Sequence, residues 1–440
     1  MDGCENGRAV RRQVRLVLLA CSVLLGACSA TVPSPTPTFT PVPTPAPTEA
    51  PTPTPALSPG PSGGALEPAV AAAIAEVEAA VPALRGLEPR AEVPNRVLDA
   101  AGLHAELLRL FDEAATPAEY AAQSRFGERL GLLPAGSDLR ALQLALLEEQ
   151  ALGFYDQDTA QMTLVQRRGA AFGPLERATL AHEYTHALQD QHFGLADLGL
   201  DDLAQGDRAL ARLALVEGDA SLVMQQWAAE NLSFAEALKV LLQALDPRQQ
   251  AVLGGMPPIL QRQLAFPYLD GLAFVTGLQA AGGWTAVDAA YSRPPDSTEQ
   301  ILHPEKYTAG EGPVAVAAPD DLARLGEGWT ETLADTEGEL TISVWLEPSA
   351  GAKGAAAAAA GWGGDRVTMY EGPDGAWLIV WSTTWDTRED ATEFAAAAAA
   401  SGVQGLRVVG GGPVAATDRF VLVVLASDAD LLDRLYPPRR

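Results

Sequence analysis

His182-Glu183-Tyr184-Thr185-His186 is the stretch from which the rest of this sequence is interpreted. Two histidines four residues apart on a helix lie one above the other on the same face. The glutamate between them points to the edge of whatever the two imidazoles bind, which is the arrangement of a zinc hydrolase. The alternative is a helix whose two histidines only pack or cap. The pattern therefore predicts His182 and His186 as metal ligands and Glu183 as the catalytic base.

The third ligand of such a metal has two candidates, of which His192 is the nearer in sequence. A catalytic zinc ion takes three protein ligands and a water, and no cysteine follows Cys28 that could supply a thiolate. His192 stands ten residues after His182, as in the metzincin pattern HExxHxxGxxH. Gln189 occupies the glycine position of that pattern, so the helix is expected to continue. His192 would then lie roughly opposite the ligand face, and a divergent metzincin that uses it stays an alternative.

Glu217 is the other candidate, and it lies on a second predicted helix from about Gly206 to Asn231. It is embedded in an apolar run, where a buried carboxylate needs a partner. With HExxH on one helix and a glutamate on the next, the chain resembles the gluzincins, the thermolysin-like zinc peptidases. That resemblance implies Glu217 as the third ligand of one Zn²⁺ ion. Many gluzincins carry an acidic residue four positions later, where this chain has Ser221, and the nearest acid is Asp219.

The same resemblance implies a reaction, the hydrolysis of a peptide bond. A bound metal lowers the pKa of its water, and Glu183 is placed to take that proton and pass it to the leaving amine. The tetrahedral intermediate then needs a donor to its oxyanion, which a downstream His or Tyr supplies in thermolysin-like enzymes. His303 and Tyr307 are the candidates, since His303 is the one histidine after the metal region. A surface histidine that caps a turn before Pro304 is the competing interpretation.

The N-terminus has the pattern of an exported lipoprotein. Four arginines within residues 8–15 precede an apolar run over residues 16–25, which is typical of a secretory signal. The run ends in Leu25-Gly26-Ala27-Cys28, which resembles the bacterial lipobox, in which the cysteine is lipidated and becomes the first mature residue. Residues 1–27 are therefore predicted to be the signal peptide, with ordinary cleavage and an inert cysteine as the alternative. Residues 28–65, the lipidated cysteine and Pro/Thr-rich repeats, are predicted to form a disordered tether.

Composition excludes one class of partner. The 440 residues contain 56 Asp and Glu against 30 Lys and Arg, a formal net charge of −26. Such a surface repels phosphate backbones, so we expect no nucleic-acid partner. Hydrophobic residues make up 48% of the chain, which is enough for buried cores in more than one domain.

The rest of the chain predicts an α+β protein in two parts. Residues 66–325 are predicted to form a mainly helical, zincin-like catalytic domain, with a β-hairpin over about 152–165 upstream of the HExxH helix. The HExxH helix itself is predicted from Pro174 to Phe193, with Gly194 as its stop. Residues 326–440 are predicted to form a small C-terminal α+β domain.

The C-terminal domain is predicted from five apolar runs with strand character. Helices near residues 351–361 and 388–400 separate them, in an order such as β-α-β-β-α-β. The predicted strands are Leu340–Trp345, Arg366–Tyr370, Trp377–Trp381, Leu406–Val409 and Phe420–Leu425.

Together these patterns predict an extracytoplasmic lipoprotein, anchored to the bacterial cell membrane by its N-terminal lipid, that hydrolyses polypeptides with one Zn²⁺ ion. The stretches HEYTHALQDQ and EGDA also look like those of uncharacterised bacterial lipoproteins of metallopeptidase type. The competing class is a non-catalytic binding or assembly lipoprotein on a zincin scaffold. The intact Glu183 beside both histidines speaks against that class, because a protein without catalysis has no need of the base.

Overall fold

The computed structural model describes residues 68–166, 172–244, 247–317, 321–410 and 419–437. The predicted signal peptide, the lipidated cysteine and the tether lie outside the described residues. Within those ranges the protein is α+β, as predicted. None of the helices in them combines the length and the apolar content that crossing a bilayer requires.

The helical part begins with four helices whose ends follow local sequence signals. Thr116 caps the third helix, since its hydroxyl accepts from the Glu119 N–H while the Glu119 carboxylate accepts from the Thr116 N–H. Pro117 follows at the first helical position, where a missing N–H costs nothing. Asp138 caps the fourth helix through the Ala141 N–H. The four are α1 (Pro68–Arg85), α2 (Ala100–Ala114), α3 (Pro117–Leu130) and α4 (Leu139–Gln150).

A three-stranded sheet contains the predicted hairpin. Strands β2 (Gly153–Asp156) and β3 (Gln161–Val165) pair antiparallel, which confirms the hairpin. The sequence did not predict β1 (Asn95–Leu98), which pairs parallel with β3 on its other side. The order β1-β3-β2 leaves β2 at the edge of the sheet.

Helices α5 (Pro174–Phe193) and α6 (Gly206–Asn231) carry the predicted ligands and have the predicted bounds. Helix α9 (Pro258–Ser292) packs across α6 at two glycines. A Cβ on Gly218 would lie 2.3 Å from the Gly271 carbonyl oxygen, and a Cβ on Gly271 would lie 2.2 Å from that of Ala214. The glycines therefore let the two backbones touch directly beside Glu217.

The C-terminal part is a five-stranded antiparallel sheet with helices packed on it. Its strand order is β4-β5-β6-β8-β7, with antiparallel pairing throughout. Four of the five predicted strands and the helix near 388–400 are confirmed, with slightly wider strand bounds. The elements are β4 (Thr330–Asp335), α13 (Gly338–Ala359), β5 (Trp362–Glu371), β6 (Trp377–Trp385), α14 (Arg388–Ala399), β7 (Leu406–Gly410), β8 (Phe420–Ala426) and α15 (Ala429–Leu435).

The prediction of a strand over Leu340–Trp345 is wrong, because these residues form the first turns of α13. Leu340, Ile342 and Val344 alternate with the polar Thr341 and Ser343, which is a strand-like pattern. The segment nevertheless contacts cores on two sides, since Leu340 packs into the core around α6 whereas Ile342 and Trp345 pack into the core of the sheet. A period-2 pattern over so few residues does not exclude a helix that is buried on more than one face. The first strand of the C-terminal part is instead the more polar β4.

The two parts of the chain share their apolar cores. Phe126 and Leu130 of α3 pack with the sheet residues Trp362 and Trp381. The boundary between residues 325 and 326 therefore remains a prediction from the sequence. The remaining helices connect the parts and cover the surface: α7 (Phe234–Ala244), α8 (Pro247–Gly254), α10 (Thr298–Leu302), α11 (Pro304–Ala309) and α12 (Leu322–Leu325).

Candidate metal centre

Helices α5 and α6 bring His182, His186 and Glu217 to one point, with one ligand atom of each within 4.8 Å of the others. The Nε2 atoms of the two histidines are 3.0 Å apart. The Glu217 Oε2 atom lies 3.0 Å from His182 Nε2 and 3.5 Å from His186 Nε2. His186 and Glu217 are fully buried, and His182 is 3% exposed. These three residues could therefore hold one metal ion.

The spacing of the three atoms fits a small divalent ion. Ligands about 2.0–2.1 Å from a tetrahedral zinc lie roughly 3.3–3.4 Å from one another, close to the three separations of 3.0–3.5 Å. Two other atoms of these residues lack partners in the part of the chain that the structure describes. Glu217 Oε1 and His182 Nδ1 are buried and have no hydrogen-bond partner among the described residues. A buried carboxylate oxygen without a partner is costly, and a bound cation would remove that cost.

Gln189 orients one of the ligands. The His186 Nδ1 atom lies 2.8 Å from Gln189 Oε1, so an Nδ1–H donates to the amide and leaves Nε2 free for a metal. The Gln189 amide nitrogen donates to the carbonyl oxygen of Val216, the residue before Glu217, at 3.0 Å. One side chain therefore connects both ligand-bearing helices. The sequence identified Gln189 as the residue that keeps α5 helical but did not indicate this second role.

Glu183 lies between the histidines and against the edge strand. It is 3% exposed, and its Oε2 atom has no hydrogen-bond partner among the described residues. Gly153 of β2 packs on it, since a Cβ there would lie only 3.4 Å from Glu183 Cγ. Burial raises the pKa of the Glu183 carboxyl to about 8, against the positive charge of His186. The arrangement suits a group that accepts and releases a proton.

Charge is distributed unevenly among the three ligands. Burial alone would raise the pKa of Glu217, but the histidines lower it to about 2. Burial alone would lower the pKa of His186, but Glu217 raises it to about 9. Burial lowers the pKa of His182. In the metal-free protein Glu217 and His186 therefore form an ion pair, whereas a metal requires the neutral imidazole.

Asp219, the acid nearest to Glu217, is held by other partners. Its Oδ1 accepts from Arg85 Nε at 2.7 Å, and its Oδ2 accepts from the Tyr291 hydroxyl at 2.9 Å. Arg85 is fully buried, also donates to Asp288 at 2.7 Å, and lies 4.5 Å from the centre of the Trp284 ring. The position four residues after Glu217 is Ser221, whose buried hydroxyl has no partner among the described residues.

The other predicted site residues lie in different surroundings. His192 is bound through Nε2 to the carbonyl oxygen of Glu88 at 2.7 Å, and α5 continues past Gln189 without a break. His303 pairs with Glu339 at 2.9 Å. The Tyr307 hydroxyl donates to the Arg293 carbonyl at 2.9 Å. Across the described ranges, the hydrogen bonds of these three residues do not involve the metal ligands.

Tyr268 is the aromatic residue beside the centre. Its ring centroid lies 6.1 Å from that of His182, and the side chain is 5% exposed. Its neighbours Phe266 and Pro267 in α9 are buried as well. No local motif marks Tyr268, because its position depends on how α9 crosses α6.

Comparison with known proteins covers only the C-terminal part. A family described as "Domain of unknown function (DUF8575)" matches residues 324–435. This range contains the five-stranded sheet and none of the three candidate ligands. A search of curated proteins and a search of solved structures find no match to the chain. A proposal for function must therefore be built on the geometry of the centre.

Proposed function

We propose that the protein is a zinc-dependent peptidase of gluzincin-like arrangement. The observation that carries this proposal is the convergence of His182, His186 and Glu217 beside Glu183. Two histidines and a carboxylate are a known catalytic zinc set, and three protein ligands leave a fourth position for water or substrate. The zincin-like identity of the helical part belongs to the same proposal.

The residues around the ion have separate tasks. A zinc ion held by His182, His186 and Glu217 would supply Lewis-acid chemistry, polarising the substrate carbonyl and lowering the pKa of water. Glu183 Oε2 takes a proton from the attacking water and returns it to the leaving amine. Gln189 holds His186 in the tautomer whose Nε2 faces the ion. Glu217 supplies the negative charge that a divalent cation needs in a buried site.

The donor to the developing oxyanion is a further part of the proposal. Tyr268 is the donor we propose, because its ring centroid lies 6.1 Å from that of His182. His303 and Tyr307 stay predictions in this role, since each bonds to a different residue, Glu339 and Arg293.

The location of the enzyme is proposed from the N-terminal sequence. The lipobox at Cys28 and the tether over 28–65 favour a lipid-anchored, extracytoplasmic enzyme that acts on polypeptides outside the membrane.

Zinc content and peptidase activity of matched variants test the proposal. We expect the wild-type protein to bind one zinc ion per chain and to cleave fluorescently labelled casein. Glu183→Gln should keep the zinc and lose about 10²–10⁴-fold in rate, because general acid–base catalysis is worth that much. Glu230→Gln, an exposed change near the end of α6, should leave both unchanged.

Two results would contradict the proposal. A protein without zinc, or a rate of cleavage that does not depend on Glu183, would exclude the mechanism. One bound zinc ion together with no cleavage of any polypeptide would instead favour the non-catalytic binding or assembly lipoprotein.

A further inference from the structure

A groove runs between the helical part and the C-terminal sheet. It consists of two adjoining cavities of about 330 Å³ and 380 Å³. Gln123, Gln143 and Gln263 line both cavities, as do Asp335 and Glu337, so the two form one continuous space. This volume is in the range of sites that hold small ligands or side chains.

The walls of the groove are apolar and its charges have one sign. Leu147 of α4, Leu213 of α6 and Leu264 of α9 contribute apolar surface. The charged lining residues are Glu119, Asp201, Asp202, Asp207, Asp335 and Glu337. Within the described ranges no lysine, arginine or histidine lines either cavity.

Four of these carboxylates already have partners. Glu119 belongs to the cap of α3, and Asp202 pairs with Arg208 at 2.8 Å. Asp207 accepts from the backbone N–H and the hydroxyl of Thr298. Asp335 accepts from the N–H of Gly206 at 2.7 Å and from that of Thr336. Arg208 brings a positive charge to Asp202, whereas the other three carboxylates are held by these neutral donors.

Asp201 and Glu337 differ from those four, because their carboxylates have no hydrogen-bond or ion-pair partner among the described residues. Glu337 lines both cavities, and its own N–H is bound to Asp365 at 3.0 Å, which orders its backbone. The groove therefore presents two unpaired carboxylates beside apolar walls.

The pKa values of two carboxyl groups in the groove are those expected of a site that lacks a counter-charge. Burial raises the pKa of Glu337 well above its ordinary range, and the charges of Asp335, Asp365 and Asp207 raise it further. Burial likewise raises the pKa of Asp335 to about 7, against Arg366 and the two amides that it accepts from. Carboxylates that lack a counter-charge retain protons, and an entering cation would replace those protons.

The wall of the groove lies about one helical turn from the metal centre, although none of the three candidate ligands lines either cavity. Leu213 lies four residues before Glu217 on α6, and Leu264 lies four residues before Tyr268 on α9. Residues at this spacing are neighbours on one helix face, about 6 Å apart along the helix axis. Along both helices the groove and the centre are therefore separated by less than the length of about two residues of an extended peptide.

We propose that this groove binds a lysine or arginine side chain of the polypeptide substrate, next to the bond that is cleaved. The aliphatic stem lies against the leucines, and the charged end reaches Glu337 and Asp201. The three glutamine amides offer hydrogen bonds to the peptide backbone. This inference rests on the proposed peptidase function, because the metal centre defines which bond is cut.

Peptide binding to a cleavage-deficient protein tests the inference separately from catalysis. The probes are fluorescent heptapeptides of alanine whose central residue is lysine, norleucine or glutamate. Zinc-loaded Glu183→Gln protein should bind the lysine peptide about tenfold more tightly than the norleucine peptide, and the glutamate peptide most weakly. The preference should shrink when the salt concentration rises from about 50 to 300 mM, because the groove is open to solvent.

Variants that each remove one carboxylate charge show which residues cause the preference for lysine. Adding Glu337→Gln, or separately Asp201→Asn, should remove most of the preference for lysine, while Glu230→Gln should not. Circular dichroism of each variant checks that the fold is retained, and two independent groove variants guard against one that misfolds. Equal binding of the three peptides, or a preference that survives both changes, overturns the inference.

The two proposals fail in different ways. If zinc-loaded wild-type protein cleaves all three peptides equally, the peptidase function holds and the groove inference is wrong. If lysine binding depends on Glu337 but no peptide is cleaved, the groove binds cations and the peptidase function is wrong.

Discussion

Two buried carboxylates on α6, Glu217 and Asp219, stand two residues apart and have opposite surroundings. Asp219 meets a buried arginine, Arg85, at 2.7 Å, and its second oxygen accepts from Tyr291 at 2.9 Å. Glu217 meets two histidines, and its Oε1 atom has no partner among the described residues.

The difference separates a structural charge from a proposed metal ligand. The fold itself supplies the cation for Asp219, and both oxygens of that carboxylate accept hydrogen bonds. The counter-charge of Glu217 comes instead from an imidazole, which is positive only when it is protonated. A metal ion can replace that proton. An unpartnered atom in a set of converging donors is therefore the better sign of a metal site than burial or charge.

The largest expected effect comes from removing the ligand. Glu217→Ala should abolish tight zinc binding, because two histidines alone do not complete a catalytic set. Bound metal per chain after dialysis, measured by elemental analysis, should fall from one to near zero.

His192→Ala is the matched control for that change. Its imidazole contacts the Glu88 carbonyl, so zinc binding should stay at one ion per chain. Loss of zinc in His192→Ala with retention in Glu217→Ala would make the site a divergent metzincin.

Removing Arg85 tests the other carboxylate. Arg85→Met should lower the free energy of unfolding of the metal-free protein by about 3–5 kcal/mol, since Asp219 is left buried and uncompensated. Urea denaturation followed by circular dichroism measures this change. Arg140→Met, which breaks a surface pair with Asp112, should cost about 0–1 kcal/mol.

Asp219→Asn, added to Arg85→Met, should restore part of the lost stability by removing the uncompensated charge. An Arg85→Met protein as stable as the wild type would show that this network contributes nothing to the fold.

Gln189→Leu should weaken zinc binding by about 10–100-fold, because the hydrogen bond that orients His186 is lost. Competition with a chelator of known affinity measures the change in Kd. Gln189→Glu keeps the acceptor for His186 but loses the amide that donates to Val216, so it should recover only part of the affinity. Equal affinities of Gln189→Leu and wild type would remove Gln189 from the centre.

The smallest expected effect is the change in pH-dependent stability caused by Asp335, a carboxylate with neither a proposed metal nor an ion-pair partner among the described residues. The pKa of Asp335 is raised to about 7, chiefly by burial and further by Asp365, although Arg366 acts against it. The folded state thus holds a proton that the unfolded state releases near pH 4, and stability is lost as the pH rises through about 7.

Asp335→Asn keeps the acceptor for the Gly206 N–H and removes that ionisation. The Tm of the variant relative to wild type should therefore rise between about pH 5 and pH 8, as differential scanning calorimetry can measure. A Tm difference that is constant over this range would mean that Asp335 ionises as freely in the folded as in the unfolded state.

Sequence reasoning succeeded where one local signal specifies one structure. The caps at Thr116 and Gly194 place helix ends, because each satisfies backbone groups within a few residues. It failed for Leu340–Trp345, whose alternating apolar and polar residues resemble a strand although the segment is helical and contacts two cores. It also missed β1, four residues whose pairing with β3 is set by contacts across 67 positions.

The sequence by itself determined the HExxH helix, the continuation of that helix past Gln189, and Glu217 as the carboxylate to consider. Each follows from spacing along one helix or from the cost of burying one charge. Tertiary structure alone decided that Glu217 reaches the two histidines, that Gln189 joins α5 to α6, and that Tyr268 packs on His182. Those contacts depend on how helices far apart in sequence pack against one another, which no local pattern encodes. The glycine contact between α6 and α9 bears on the position of Tyr268.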